Sequence, residues 1–174
     1  WGVTSPDRPI SDPGPAPHSG RKDQRIMETA LGTYSGYLVN PLALEPKDVR
    51  VLDIAHALSN QCRFAGHCRQ FYSVAQHSVL VSYACEKHAL WGLLHDAAEA
   101  YLVDVPRPVK RSLAGYDEHE ARILKSIGLA LGLRGDCPAE VLEADDRVLA
   151  AELRDLFTPA EDWPELDVRP WPRV

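Results

Sequence analysis

Nothing in this 174-residue chain offers the apolar run of roughly 20 residues that crosses a bilayer as a helix. No basic start leads into an apolar signal core either, so we expect no membrane span and no export signal. Cysteine is sparse. The four present (Cys62, Cys68, Cys85 and Cys137) form no disulfide-rich pattern, which excludes a stapled secreted scaffold and predicts reduced thiols in a cytoplasmic protein. A surplus of positive charge is also missing: 19 Lys and Arg stand against 25 Asp and Glu, for a net charge of −6. That balance argues against stable nucleic-acid binding. An acidic chain that handles an anionic substrate must gather positive charge locally, through a metal and a few placed cations.

The length suits one domain with a real core. Residues 1–26 are rich in Pro, Gly, Ser and Asp without a period and predict an extended N-terminal arm. Met27, the only methionine, marks where a single domain over 27–174 would begin. From Gly32 to Val51, turn signals alternate with short apolar runs, as in a small hairpin or irregular lid. Asp53 is read as the N-cap of a short helix through Leu58. Ser73 with Gln76 forms a capping box that starts a helix to about Cys85, with His77, Leu80, Val81 and Ala84 on one face. A short link, Glu86-Lys87-His88, makes the next helix its antiparallel neighbour. Helices also read from Tyr116 to Leu131, stopped by Gly132 and packed through Ala121, Leu124 and Gly128, and from Pro138 to about Phe157. The tail, with Trp163-Pro164 and Trp171-Pro172, is expected to be irregular and surface-packed.

The chemistry concentrates at Leu94-His95-Asp96-Ala97-Ala98-Glu99. The approach Ala89–Leu94 is apolar, without Pro or β-branched residues, and reads as a buried helix. Buried His and Asp need compensation, which a divalent metal supplies. Adjacent helical residues differ by about 100° in direction, and Glu99, one turn on, would lie over His95. That suggests two ligands and a third group aimed at an attacking water. Taken alone, the dipeptide is as well explained by a satisfied core histidine beside solvated acids. His77, however, falls at the same end of the helix pair as His95. Asp145 lies on the buried stripe of the last helix, while Asp146 turns away, and Glu152 shares the face and could orient a ligand. A second donor set, His56, Cys62, His67 and Cys68, lacks the usual paired-ligand zinc spacing. Arg63 beside Phe64 could hold a phosphate and a planar base. Arg107, Lys110 and Arg111 read either as anion contacts or as a solvated basic turn.

The order His77, His95-Asp96, Asp145 resembles the HD-domain metal-dependent phosphohydrolases. The run from His95-Asp96-Ala97-Ala98-Glu99 through Asp104-Val105-Pro106-Arg107-Pro108-Val109-Lys110, with Arg63-Phe64 and Tyr72–Ser78, is closest to the short branch of bacterial 5′-deoxyribonucleotidases and phage-encoded HD hydrolases. The resemblance covers roughly Thr33 to Phe157. It implies an all-α HD-domain helical bundle with a small irregular or hairpin N-terminal segment. It implies metal ligation by His77, His95, Asp96 and Asp145. It gives Glu99 the work on the attacking water, with Asp96 and Arg63 also in the catalytic set. Phosphate contact falls to Arg63, and sugar contact to Asp104; Phe64, Lys110 and Arg107 complete the substrate contacts. One divalent transition metal (Zn, Mn, Co or Fe) suits two imidazoles and two carboxylates, and Mg could accompany the substrate phosphates. The expected activity is hydrolysis of the phosphate ester of (deoxy)nucleoside 5′-monophosphates. The alternatives are release of triphosphate from deoxynucleoside triphosphates and a non-catalytic nucleotide-binding module. A nucleotide is the expected partner, and a homo-oligomer, dimer or higher, is the expected assembly. Three departures stand out: Phe64 occupies a position usually held by Trp, His77 and His95 are unusually close in sequence, and the N-terminal arm has no counterpart in that branch.

Overall fold

The structure is a computed structural model that describes residues 28–158 and 167–174. The arm over 1–26 and the Trp163-Pro164 pair lie outside the described residues. A two-stranded antiparallel hairpin comes first, β1 (Leu31–Gly32) with β2 (Leu38–Val39), Leu31 opposite Val39. Helices follow: α1 (Val51–Asn60), α2 (Val74–Ala84), α3 (Ala89–Leu94), α4 (Glu99–Leu102), α5 (Arg107–Lys110), α6 (Tyr116–Leu131) and α7 (Ala139–Leu156). The fold is mostly helical, as expected, and no helix among the described residues is long and apolar enough to cross a membrane.

The capping box starts α2 as read: Ser73 Oγ accepts Gln76 N–H at 3.1 Å, and Gln76 Oε1 accepts Ser73 N–H at 2.8 Å. Gly132, at φ +76, ends α6. Three expectations need correction. Arg50, not Asp53, is the N-cap of α1. Asp53 lies buried in the first turn, where its carboxylate accepts Ser35 N–H at 2.7 Å and Ser35 Oγ–H at 2.8 Å, tying the hairpin to α1. On α6, Ile123, Ile127 and Gly128 form the buried stripe, and Ala121 is exposed. Finally, α3 does not continue as a regular helix through Glu99. From Leu94 to Tyr101 the chain tightens into i→i−3 bonds, Ala97 to Leu94 at 3.0 Å, Glu99 to Asp96 at 3.0 Å and Tyr101 to Ala98 at 3.0 Å.

Two apolar clusters hold the bundle. One joins Ile54, Leu58, Val74, Leu94, Ile123 and Ile127; the other joins Val81, Cys85, Val141, Ala144 and Val148, with Trp171 of the tail against it. Helix α2 contributes to both. It packs so tightly on α3 that a Cβ on Gly92 would lie 2.9 Å from Ser82 Cα. This close antiparallel pairing brings His77 and His95 to one end.

Candidate metal centre

His77 is fully buried, in the first turns of α2 on the face toward α7. Its Nδ1 lies 2.7 Å from Glu152 Oε1. Glu152, fully buried on α7, stays ionised: burial opposes this, but the bond from His77 and the charge of Arg63 hold its pKa down. An ionised carboxylate only accepts, so Nδ1 carries the proton and Nε2 presents a lone pair. His95 is fixed the same way, its Nδ1 donating to the Gly92 carbonyl at 2.7 Å. The two Nε2 atoms then face each other at 3.3 Å. Asp96 Oδ2 stands 3.2 Å from His95 Nε2 and 3.6 Å from His77 Nε2, and Asp145 Oδ1 stands 3.1 Å from His77 Nε2.

Four acceptor atoms therefore converge with no donor among them when the rings are neutral. Such a group requires either an extra proton or a cation. Without a cation the proton goes to His95. Burial pulls its pKa down, but the Asp96 charge and hydrogen bond outweigh this and raise it to about 9. The ligand atoms of His77, His95 and Asp96 lie within 4.8 Å of one another, so these three could hold a metal ion. They are the one such group of His, Cys, Asp and Glu found among the described residues. Asp145 stands at the edge of the group, with its other oxygen 3.0 Å from Arg107 Nη2. The alternative donors do not assemble: His56 stacks on Tyr34 with centroids 3.7 Å apart, His67 is exposed, and Cys62 and Cys68 face each other at 3.7 Å, with Cys68 also 3.9 Å from the Arg63 carbonyl.

His95, Asp96 and Asp145 form the floor of a cleft of about 510 Å³, with His77 buried beneath them, and the walls include Arg63, Phe64, Glu99, Asp104 and Lys110. Arg63 is buried, 3.1 Å from Glu152 and 3.5 Å from Asp96, and its guanidinium lies 5.0 Å from the Phe64 ring centre. Phe64 adopts φ +57 and packs edge-on against Phe157 at 4.9 Å. Tight i→i−3 winding carries three residues per turn, so residues three apart eclipse. Glu99 therefore aligns with Asp96 rather than lying over His95, as a regular helix would place it. The consequence is electrostatic. Burial, then the charges of Asp96 and Asp104, push the Glu99 carboxyl up to about 10, and its buried Oε2 has no hydrogen-bond partner. Asp104 is also raised, first by burial, although Arg63 opposes the shift.

The basic run is less available than its sequence suggests. Lys110 pairs with Glu120, and Arg107 with Asp145 and, at 3.7 Å, Asp146. Arg111 is exposed and does not line the cleft. Asp146, half-exposed, does not line the cleft, although it shares Arg107 with Asp145. Gly92 is a site residue that sequence reasoning missed: its carbonyl orients His95 and its missing side chain lets α2 and α3 meet. A glycine inside an apolar helical run is the signal that could have found it.

No protein-family model matches the chain. Over 139 residues it is 42% identical to the uncharacterized protein YfdR of Escherichia coli (strain K12), an alignment covering 79% of this chain and 78% of YfdR. The chain belongs to the YfdR family. It is also 36% identical over 121 residues to the uncharacterized protein RCAP_rcc00048 of Rhodobacter capsulatus, covering 63% of this chain and 62% of that protein.

Proposed function

We propose that this chain is an HD-domain metal-dependent phosphohydrolase that cleaves the phosphate ester of (deoxy)nucleoside 5′-monophosphates. One observation carries the reading: two histidines, each with Nδ1 committed to a fixed acceptor, aim their Nε2 atoms at a common point beside Asp96 on the floor of a cleft that also holds a buried Arg63. His77, His95 and Asp96 would hold the metal, with Asp145 as the fourth ligand. The mixed imidazole and carboxylate set favours Zn, Mn, Co or Fe over Ca, and Mg could accompany the substrate phosphate. When bound, the metal supplies a Lewis acid that acidifies water and polarises a phosphoryl oxygen.

The remaining work falls to the chain. Arg63 forks onto the phosphoryl oxygens, with Glu152 behind it fixing the guanidinium plane. In the metal-free chain, burial and the charges of Asp96 and Asp104 raise the Glu99 carboxyl, which supports a general acid that protonates the leaving 5′ oxygen. Asp104, on the same wall, accepts a sugar hydroxyl. Phe64 offers a flat face for the base. Monophosphates are favoured over triphosphates because the cations a longer chain would need, Arg107 and Lys110, are already paired with acids. Metal-loaded protein should be assayed against nucleoside mono-, di- and triphosphates with the released phosphate species identified. Orthophosphate from monophosphates is the expected product. Triphosphate release would move the reading to a deoxynucleoside triphosphate triphosphohydrolase, and tight nucleotide binding without turnover would make this a binding module.

A further inference from the structure

Gln61 takes no part in the chemistry above, yet its side chain reaches both ends of the four-residue helix α4 in the cleft wall. Its Nε2 donates to the Glu99 carbonyl at 3.1 Å, and its Oε1 accepts Asp104 N–H at 3.0 Å. These partners bracket α4. Between them sits Val103, at φ +75 and ψ +149, a conformation that a β-branched residue strongly disfavours. Its neighbours hold it there. Val103 N–H donates to the Glu99 carbonyl at 2.8 Å, and the Val103 carbonyl accepts Tyr116 O–H at 2.9 Å. A relaxed Val103 would return to negative φ and rotate the following chain, Asp104 first, out of its place in the cleft. Gln61 is itself anchored: its carbonyl accepts Val74 N–H at 3.1 Å, at the first residue of the helix that carries His77.

We propose that Gln61 is a positioning residue whose amide clamps the Glu99 carbonyl and the Asp104 N–H, holding the strained Val103 turn so that Asp104 keeps a fixed place relative to the His77 helix. The job needs one donor and one acceptor on the same group, which an amide provides. An ionised Glu keeps only the acceptor; Asn is one methylene short of the span. The proposal rests on the functional reading for what Asp104 does, but not for where Asp104 is held.

The test compares wild type with Gln61→Ala, Gln61→Glu and Gln61→Ala combined with Val103→Gly. Three quantities are read: amide hydrogen exchange at Asp104, bound metal, and the ratio of kcat/KM between matched deoxyribo- and ribonucleoside monophosphates. Gln61→Ala should speed exchange at Asp104 at least tenfold and lower kcat/KM about 10- to 100-fold, the scale of a small misplacement. It should flatten the sugar preference while leaving bound metal unchanged. Gln61→Glu should keep most of the Asp104 protection; if the alanine variant does not fold, Gln61→Leu, of similar size but with neither donor nor acceptor, replaces it with the same expected losses. Adding Val103→Gly should recover part of the preference, because glycine takes this φ without strain. Unchanged Asp104 exchange and sugar preference in Gln61→Ala would overturn the proposal, as would lost stability with the preference intact. If wild type hydrolyses no nucleotide, the functional reading fails, and Asp104 exchange alone decides the role of Gln61.

Discussion

Around His77 and His95, each ring nitrogen that points away from the cleft has a fixed acceptor, whereas across the floor Glu99 buries a carboxylate oxygen with no partner at all. The first region rests mainly on regular helices: α2 begins with a full capping box, α7 presents Glu152 and Asp145 seven residues apart on one face, and His95 caps the end of α3. The second is a tightened turn, a one-turn helix and the strained Val103. The histidine corner is satisfied except where a cation would complete it, as an orienting shell around a metal should be. The acid wall is held in a high-energy state, with Glu99 kept neutral by burial and by Asp96. Under the proposed function, the first region would hold the metal and the second would supply the acid.

The largest break in this contrast should come at Glu99. Glu99→Gln should lower kcat roughly 10²–10⁴-fold, the range for a positioned acid or base, with metal still bound. Its stability effect should run the other way. The folded-state pKa lies above the unfolded value near 4.5, so the unfolded chain releases this proton first as pH rises. The metal-free native state therefore loses stability between about pH 4.5 and pH 10, and Glu99→Gln should raise Tm increasingly across that window. A Tm gain that does not grow with pH would contradict the assignment.

Next in size is the orienting shell. Glu152→Gln should weaken metal affinity about 10- to 100-fold by loosening the His77 ring, read by competition with a chelator. The corner also predicts a pH signature. Metal must displace the proton that His95 holds up to about pH 9, so affinity should climb about tenfold per pH unit toward that value and then level off. The proton has the opposite effect on metal-free stability. A histidine pKa raised above its unfolded value near 6.5 stabilises fully below that value and loses its contribution as pH rises through about 9. Affinity that levels off near pH 6.5 instead would mean Asp96 does not strengthen the hold of His95 on its proton.

Smaller again is the packing that sets the pair. Gly92→Ala places a methyl 2.9 Å from Ser82 Cα, and the overpacking should cost about 1–3 kcal/mol in denaturant unfolding, with weaker metal binding because the same residue's carbonyl orients His95. The smallest effect belongs to Asp146, half-exposed and turned from the cleft. Asp146→Asn should leave metal content and rate near wild type, while Asp145→Asn loses both. The reverse would remove Asp145 from the ligand set.

This contrast also separates what can be read in the sequence from what cannot. The capping box, the α6 stop at Gly132, the α7 stripe with Asp145 facing in and Asp146 facing out, and the meeting of His77 with His95 all follow from helical period and short links. Those signals are local and regular. Periodicity misplaces Glu99 because it assumes 3.6 residues per turn, and the chain tightens after Leu94. Nothing in Ala97-Ala98 announces that change. Asp53 reads as a cap because its true partner, Ser35, lies 18 residues away in the hairpin. Arg107 and Lys110 look free because their acidic partners come from other helices. The clamp by Gln61 likewise spans 38 and 43 residues and leaves no local mark.

Metal binding by His77, His95 and Asp96 is the claim on which the rest stands, and cobalt titration tests it most directly. Metal-free protein titrated with Co²⁺ at pH 8 should develop visible d–d absorption that saturates at one ion per chain, and His77→Ala, His95→Ala and Asp96→Ala should each abolish it while remaining folded. Saturation unaffected by these three changes, or no cobalt bound by the wild-type chain, would contradict the account.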